Sequence, residues 1–168
     1  MNSKNNLELS IYLRSFGIFD TNIISVIEET PIELFVTRNT NSDSFVKKKS
    51  DQEFKDAYLS AFIAQKLQLK SNEKILQIGT GAGYLTAIFS RLTRKVYTIE
   101  KFKKLYVLAN TNFKKLKLTN IKSKCDDSLN CWLGESPFDK IFVYNDIGQI
   151  NNNLIKQLRL NVNLFTLN

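Results

Sequence analysis

An α/β fold is predicted for this chain: a Rossmann-like, mostly parallel sheet with helices on both faces, preceded by a helical N-terminal region. Three observations carry the prediction. From Glu73 onward, short apolar runs alternate with segments of helical periodicity, as parallel strands joined by crossover helices require. The run Ile75-Leu76-Gln77-Ile78 ends in Gly79-Thr80-Gly81-Ala82-Gly83 and passes directly into a helical pattern. The N-terminal third carries apolar residues at helical spacing and no strand alternation. A length of 168 residues suits one domain over 1–168, with a helical region at 1–70 and a Rossmann-like core at 71–168.

Leu7 to Phe16 reads as the first helix, stopped by Gly17. Asp20 or Thr21 caps a second, whose Ile23, Ile24, Val26 and Ile27 are apolar while Glu28 and Glu29 are polar; Pro31 follows its end. Residues 37–50 are polar and basic and read as a loop. A longer helix is expected from about Asp51 to Leu69, with Phe54, Ala57, Tyr58, Ala61, Phe62 and Leu67 on its apolar side. Then come a strand at Lys74–Ile78, a helix at Gly83–Leu92, a strand at Lys95–Ile99, a helix at Phe102–Lys117 and a short strand at Ile121–Cys125. Asp139–Tyr144 is a strongly apolar strand, Asn152–Leu158 a short helix, and Val162–Leu167 a last strand.

Composition narrows the function classes. Hydrophobic residues make up 43% of the chain, which argues for a globular fold. No apolar run approaches a membrane span and the first residues lack a signal-peptide core, so the expected location is cytoplasmic. Cys125 and Cys131 are too few for a disulfide framework and match no zinc spacing, and the sequence has no His; no metal is expected. The net charge of +8 raises a nucleic-acid partner, but the lysines are scattered. Lys47-Lys48-Lys49 reads as a solvated loop, and aromatics do not interleave with the basic residues as a single-strand-binding face needs, so nucleic acid is not expected.

The glycine turn points to a nucleotide-like ligand lying against bare backbone, with N–H groups and a helix N-terminus at the mouth of a strand. Its spacing is G-x-G-x-G, and the last glycine of the dinucleotide fingerprint is replaced by Tyr84. A cofactor without a pyrophosphate suits the turn better, and S-adenosyl-L-methionine is the main candidate. Glu100, closing the strand-like Val96-Tyr97-Thr98-Ile99, can accept from both ribose hydroxyls. Asp126-Asp127 after the third strand either accepts from an exocyclic amine of adenine or is a solvated acidic turn. Trp132 and Phe138 either flank the adenine or cover the core. Gly79–Gly83, Glu100, Asp126 and Asn145 all fall at carboxyl ends of predicted strands, where ligands bind in parallel sheets.

With these residues in place, the chain resembles the protein-L-isoaspartate O-methyltransferases, from about Leu13 to Leu167. Phe16-Gly17-Ile18-Phe19-Asp20, Ile23-Ile24-x-Val26-Ile27 and Thr30-Pro31-Ile32-Glu33-Leu34-Phe35-Val36 are similar to the family's N-terminal region and its "VPRE-F-V" phrase. Ile75 to Tyr84 resembles "VLEIGTGSGY", Val96 to Glu100 "VYSIE", and Pro137-Phe138-Asp139-Lys140-Ile141 "APYDAI". The resemblance implies a class I S-adenosylmethionine-dependent methyltransferase fold. It also implies methyl transfer to the α-carboxylate of L-isoaspartyl residues in damaged proteins. On the motif positions, Gln77, Gly79, Thr80, Gly81, Gly83, Glu100, Asp126 and Asp127 would line the cofactor.

The chain departs from the family pattern at several positions. Against "G-x-TISQP", Lys55 takes the place of the hydroxyl residue and Ala57 that of the proline, so no catalytic residue is assigned. Gln77 stands where the family has an acid, Cys125-Asp126-Asp127 where it has "GDG", and Tyr144-Asn145-Asp146 where it has small residues. Family members continue into a terminal β-hairpin; here the last strand would be an edge, and pairing through it to form a homodimer is an expectation. Two alternatives stay open: a methyltransferase with another acceptor, and a non-catalytic scaffold on the same fold.

Overall fold

The computed structural model describes residues 3–35, 45–126, 132–144, 152–159 and 164–167. Its contacts divide the chain into two units, Met1–Gln68 and Leu69–Asn168. The first is helical: α1 (Ser3–Ser15), α2 (Thr21–Glu29), a 3-10 turn (Ile32–Leu34) and α3 (Phe45–Leu67). Gly17, at φ 84°, ends α1 in the left-handed conformation. Its N–H donates to Arg14 O at 3.1 Å, that of Ile18 donates to Leu13 O at 3.0 Å, and Leu13 and Ile18 are both fully buried. Asp20 caps α2 by accepting from the N–H groups of Asn22 at 2.9 Å and Ile23 at 3.2 Å. Gln65 of α3 ties down the bend between α1 and α2, donating to Gly17 O at 3.0 Å and accepting from Phe19 N–H at 3.3 Å. Tyr12 and Phe16 of α1 stack against Phe54 and Tyr58 of α3 with ring centroids 5.3 Å apart.

One expectation fails in this unit. The stretch 37–50 reads as a loop from its polarity, but α3 begins at Phe45, so Lys47-Lys48-Lys49 lies in helix, while 37–44 lie outside the described residues. Lys is a good helix former, and polarity alone does not separate a solvated helical turn from a loop.

The second unit is a five-stranded sheet of order β3-β2-β1-β4-β5, every neighbouring pair parallel. The strands are β1 (Lys74–Ile78), β2 (Lys95–Glu100), β3 (Ile121–Cys125), β4 (Lys140–Tyr144) and β5 (Leu164–Leu167). Helices α4 (Tyr84–Leu92) and α5 (Lys103–Lys115) connect the first three strands, and α6 (Asn152–Ile155) lies between β4 and β5. The alternation of side chains along each strand gives the sheet two apolar faces. On one, Leu76, Ile78, Tyr97, Ile99, Ile141 and Val143 pack with Phe138 and Leu154, so α6 covers this side. On the other, Phe89 of α4 meets Phe142 edge-on at 5.9 Å. Helices thus cover both faces, as the alternation predicts. The chain moves outward from β1 to β2 and β3 and then returns to place β4 on the other side of β1, so the order reverses between β1 and β4. Edge strand β5 is the one the sequence analysis offers to a second copy. Among the described residues, no helix is long and apolar enough to cross a membrane.

The turn at Leu133–Glu135 is fastened to the sheet by charge. Glu135 accepts from Tyr97 Oη at 2.8 Å and from Lys122 Nζ at 2.6 Å, while Lys74 Nζ donates to its backbone carbonyl. The Lys122 ammonium, then the Tyr97 hydroxyl, hold the Glu135 carboxyl below its usual range. Burial, then the Glu135 carboxylate, raises the Tyr97 phenol. A lowered carboxyl pKa contributes stability that is full above the unfolded value, about 4.3, and is lost as pH falls through the folded value. The melting temperature should therefore drop in that acidic window, and Glu135→Gln should flatten the drop relative to the parent in thermal melts between pH 6 and 3.

A second test comes from the end of α5. Lys117 sits at φ 53°, with Leu118 N–H donating to Phe113 O at 3.0 Å, so a lysine occupies a left-handed position that favours glycine. Lys117→Gly should raise stability by about 1 kcal/mol in urea unfolding, the cost of that conformation for a residue with a Cβ.

Candidate functional site

The carboxyl ends of β1 and β2 meet at a turn held by hydrogen bonds within itself and to β2 and α5. Gly79, Gly81 and Gly83 all have positive φ, at 88°, 58° and 99°. Gly79 N–H donates to Ile99 O at 2.9 Å, Gly83 N–H to Thr80 O at 3.1 Å, and Gly81 N–H to Glu100 Oε2 at 2.8 Å. Thr80 and Thr98 share a hydroxyl–hydroxyl bond of 2.6 Å in the interior. Asn112 of α5, also buried, donates to Ala82 O at 3.2 Å. The three glycine N–H groups are therefore used inside the protein.

What the turn does present is a carboxylate and an open approach. Glu100 is only 4% exposed; Oε2 accepts from Gly81 N–H and Oε1 from Phe102 N–H at 2.9 Å. Each carboxylate oxygen has a second acceptor direction. A Cβ on Gly81 would meet nothing within 4 Å, whereas one on Gly83 would lie 2.6 Å from the Phe113 ring and one on Gly79 3.1 Å from Tyr144 O. The glycines therefore have different jobs. Gly83 lets α4 start against α5, Gly79 lets β1 end against β4, and Gly81 borders open space.

The other predicted residues fall as follows. Gln77, 1% exposed, donates from Nε2 to Gly79 O at 2.8 Å and accepts at Oε1 from Thr86 Oγ1 at 2.9 Å. Asp126 stands at the end of β3, its N–H donating to Glu100 O at 3.0 Å and its carboxylate 2.9 Å from Lys124 Nζ. That contact brings it beside Glu100. Asp127 and Asn145 lie outside the described residues. Phe138 is fully buried in the core and Trp132 meets Tyr97 edge-on at 5.3 Å, so both cover the sheet. Lys55 is exposed on α3, in the helical unit. Thr86, Thr98, Asn112 and Phe113 shape the turn but were not singled out from the sequence. The signal available was a polar residue on the inner face of each element, Thr86 in α4 and Asn112 in α5.

Comparison with known proteins places this arrangement. Residues 3–162 match the family model described as protein-L-isoaspartate(D-aspartate) O-methyltransferase. The protein-L-isoaspartate O-methyltransferase of Parvibaculum lavamentivorans is 31% identical over 157 residues, covering 91% of this chain and 71% of that protein. A solved protein-L-isoaspartate O-methyltransferase superposes with a TM-score of 0.80 at 22% identity, over 95% of this chain and 54% of that one. This chain thus spans about half the length of that structure. A Plasmodium falciparum structure described by the same enzyme name, in complex with S-adenosyl-L-homocysteine, superposes with a TM-score of 0.69 at 17% identity, over 98% of this chain and 83% of that one.

The glycine roles can be separated by experiment. Gly83→Ala must pay for a strained φ and for overlap with Phe113, and should cost about 2–5 kcal/mol in urea unfolding. Gly81→Ala carries only the φ cost, about 1–2 kcal/mol, and should remain folded.

Proposed function

Because the chain belongs to the protein-L-isoaspartate(D-aspartate) O-methyltransferase family, we propose that it transfers a methyl group from S-adenosyl-L-methionine to the α-carboxylate of L-isoaspartyl residues in damaged proteins. The observation that carries this reading is Glu100: a buried carboxylate at the mouth of the sheet, with acceptor capacity left on both oxygens and open space before Gly81. That combination fits a ribose diol and the chain that leads from it. S-adenosyl-L-methionine supplies an electrophilic methyl group on a sulfonium.

In this reading Glu100 accepts from the ribose hydroxyls, and Asp126 lies toward the base. Gln77, Gly79, Thr80 and Gly83 give the turn its shape, and Gly81 admits the ligand. The acceptor carboxylate is already ionised near neutral pH, so the reaction needs no general base, which suits a chain without His. The protein's task is to align the acceptor oxygen with the methyl carbon and to keep water out. Transfer leaves S-adenosyl-L-homocysteine, and the ester then closes to a succinimide without the enzyme, as the following peptide nitrogen attacks its carbonyl and methanol departs. We place the reaction in the cytoplasm, with isoaspartyl proteins or peptides as substrates.

The test is methylation of an isoaspartyl peptide against its aspartyl twin, alongside calorimetry with S-adenosyl-L-homocysteine. Methylation of the first peptide alone is expected. Glu100→Ala should weaken S-adenosyl-L-homocysteine binding by about 1.5–3 kcal/mol, the range for hydrogen bonds to a charged group. Equal labelling of both peptides points to another acceptor, and no binding by the parent overturns the enzymatic reading.

A further inference from the structure

Tyr144 is the last residue of β4, and the sheet register sets it in one row with the cofactor turn. Ile78 pairs with Ile99 of β2 and with Val143 of β4, so one residue further Gly79 lies between Glu100 and Tyr144. The contacts agree. Gly79 N–H donates to Ile99 O at 2.9 Å, and a Cβ on Gly79 would lie 3.2 Å from Tyr144 Cβ. Residues in one row of a parallel sheet point to the same face. Glu100 and Tyr144 therefore share a face, the one where Phe142 meets Phe89 of α4, and the residue between them has no side chain. Two strand spacings separate them, about 10 Å. The Tyr144 ring leans on Phe142 with centroids 6.4 Å apart, yet the residue is 38% exposed, so aromatic surface is left at the mouth of the sheet.

We propose that Tyr144 is a specificity-determining residue for the methyl donor: its ring receives the sulfonium, so that the site tells the charged donor from the neutral product. This rests on the cofactor reading given above. In that reading Asp126, after β3, lies toward the base, and Glu100, ending β2, takes the ribose. The sulfonium follows the ribose along the donor, and the next strand ends along the sheet are those of β1 and β4. Gly79 offers no side chain at the first, and Tyr144 offers a ring at the second. An aromatic face attracts a cation within about 6 Å of its centroid, more strongly where water is excluded. Methyl transfer turns the sulfonium into a thioether, which removes the charge and the attraction together. The family pattern has small residues at this place, so the ring is an addition of this chain. A variant with a shorter side chain should therefore still bind both donor and product.

The experiment is calorimetric titration of S-adenosyl-L-methionine and of S-adenosyl-L-homocysteine, without acceptor peptide, into the parent, Tyr144→Phe, Tyr144→Leu and Tyr144→Ala. The readout is the ratio of the two dissociation constants, product over donor. If the parent binds neither ligand, the cofactor reading itself fails, and the role of Tyr144 with it. With a binding parent, Tyr144→Phe keeps the ring and should hold the ratio within about twofold of the parent. Tyr144→Leu should lower the ratio about three- to tenfold, chiefly by weakening the donor. An unchanged ratio in Tyr144→Leu overturns the proposal. Equal weakening of both ligands would make Tyr144 a packing residue, and equal tightening would make the ring an obstacle to the ligand. A ratio lost in Tyr144→Phe overturns it in favour of the hydroxyl. Tyr144→Ala repeats the reading with a side chain of the family's size, so the test stands even if Tyr144→Leu does not fold.

Discussion

A single buried carboxylate ties the end of β2 to the turn that follows β1. Glu100 is almost fully excluded from solvent, and an ionised group in that position is tolerable only where donors reach it. Gly81 N–H and Phe102 N–H supply them. The arrangement is reciprocal, because the left-handed turn at Gly81 aims an N–H that would otherwise lack a partner. Parallel pairing of β1 with β2 sets Ile78 opposite Ile99, which brings the turn level with Glu100. Sheet register, glycine turn and carboxylate therefore stand or fall together.

That coupling explains how so short a segment is fixed by the fold itself. Every glycine N–H of the turn has a partner, as do the Gly79 and Ala82 carbonyls. A turn so heavily bonded has little freedom left to lose on binding, which is the usual advantage of a preorganised site. The cost falls on sequence. Three positions must accept positive φ, and at Gly83 and Gly79 a side chain would also strike Phe113 or Tyr144. At Gly81 only the conformation requires glycine, since the space before it is open.

Much of this was legible in the sequence because the signals were local. Asp20 reads as a cap and caps α2; Gly17 reads as a stop and ends α1 in the left-handed region. Short apolar runs and the 3.6-residue period placed the five strands and the helices between them. The strand-end rule brought Gly79–Gly83, Glu100 and Asp126 to one side of the sheet. What the sequence could not convey was pairing at a distance. Thr80 finds Thr98, Gln77 finds Thr86, and Ala82 O finds Asn112, each through the folded sheet and its covering helices. Motif reading assigns Gln77 and Thr80 to the cofactor; in the fold both side chains are buried, Gln77 bonded to Thr86 and Thr80 to Thr98. The α3 start at Phe45 was missed for a different reason: a lysine-rich helical turn and a lysine-rich loop have the same composition.

The basic excess has a similar explanation in three dimensions. Along the chain, Lys74, Lys122 and Lys124 are separated from any aromatic partner by strands and turns. In the fold, Lys74 Nζ lies 5.1 Å from the centroid of Phe138 and 5.8 Å from that of Tyr97. Lys122 lies 5.6 Å from Tyr97, and Lys124 lies 5.2 Å from Trp132. Lys122 also meets Glu135 and Lys124 meets Asp126. These cations cover aromatic faces toward the β3 edge, their stems over apolar rings and their charges shared with carboxylates. A patch free to bind a polyanion would hold its cations away from such partners. In this part of the basic excess, the charge works within the fold, and Lys124 links the aromatic cover at Trp132 to the carboxylate beside Glu100.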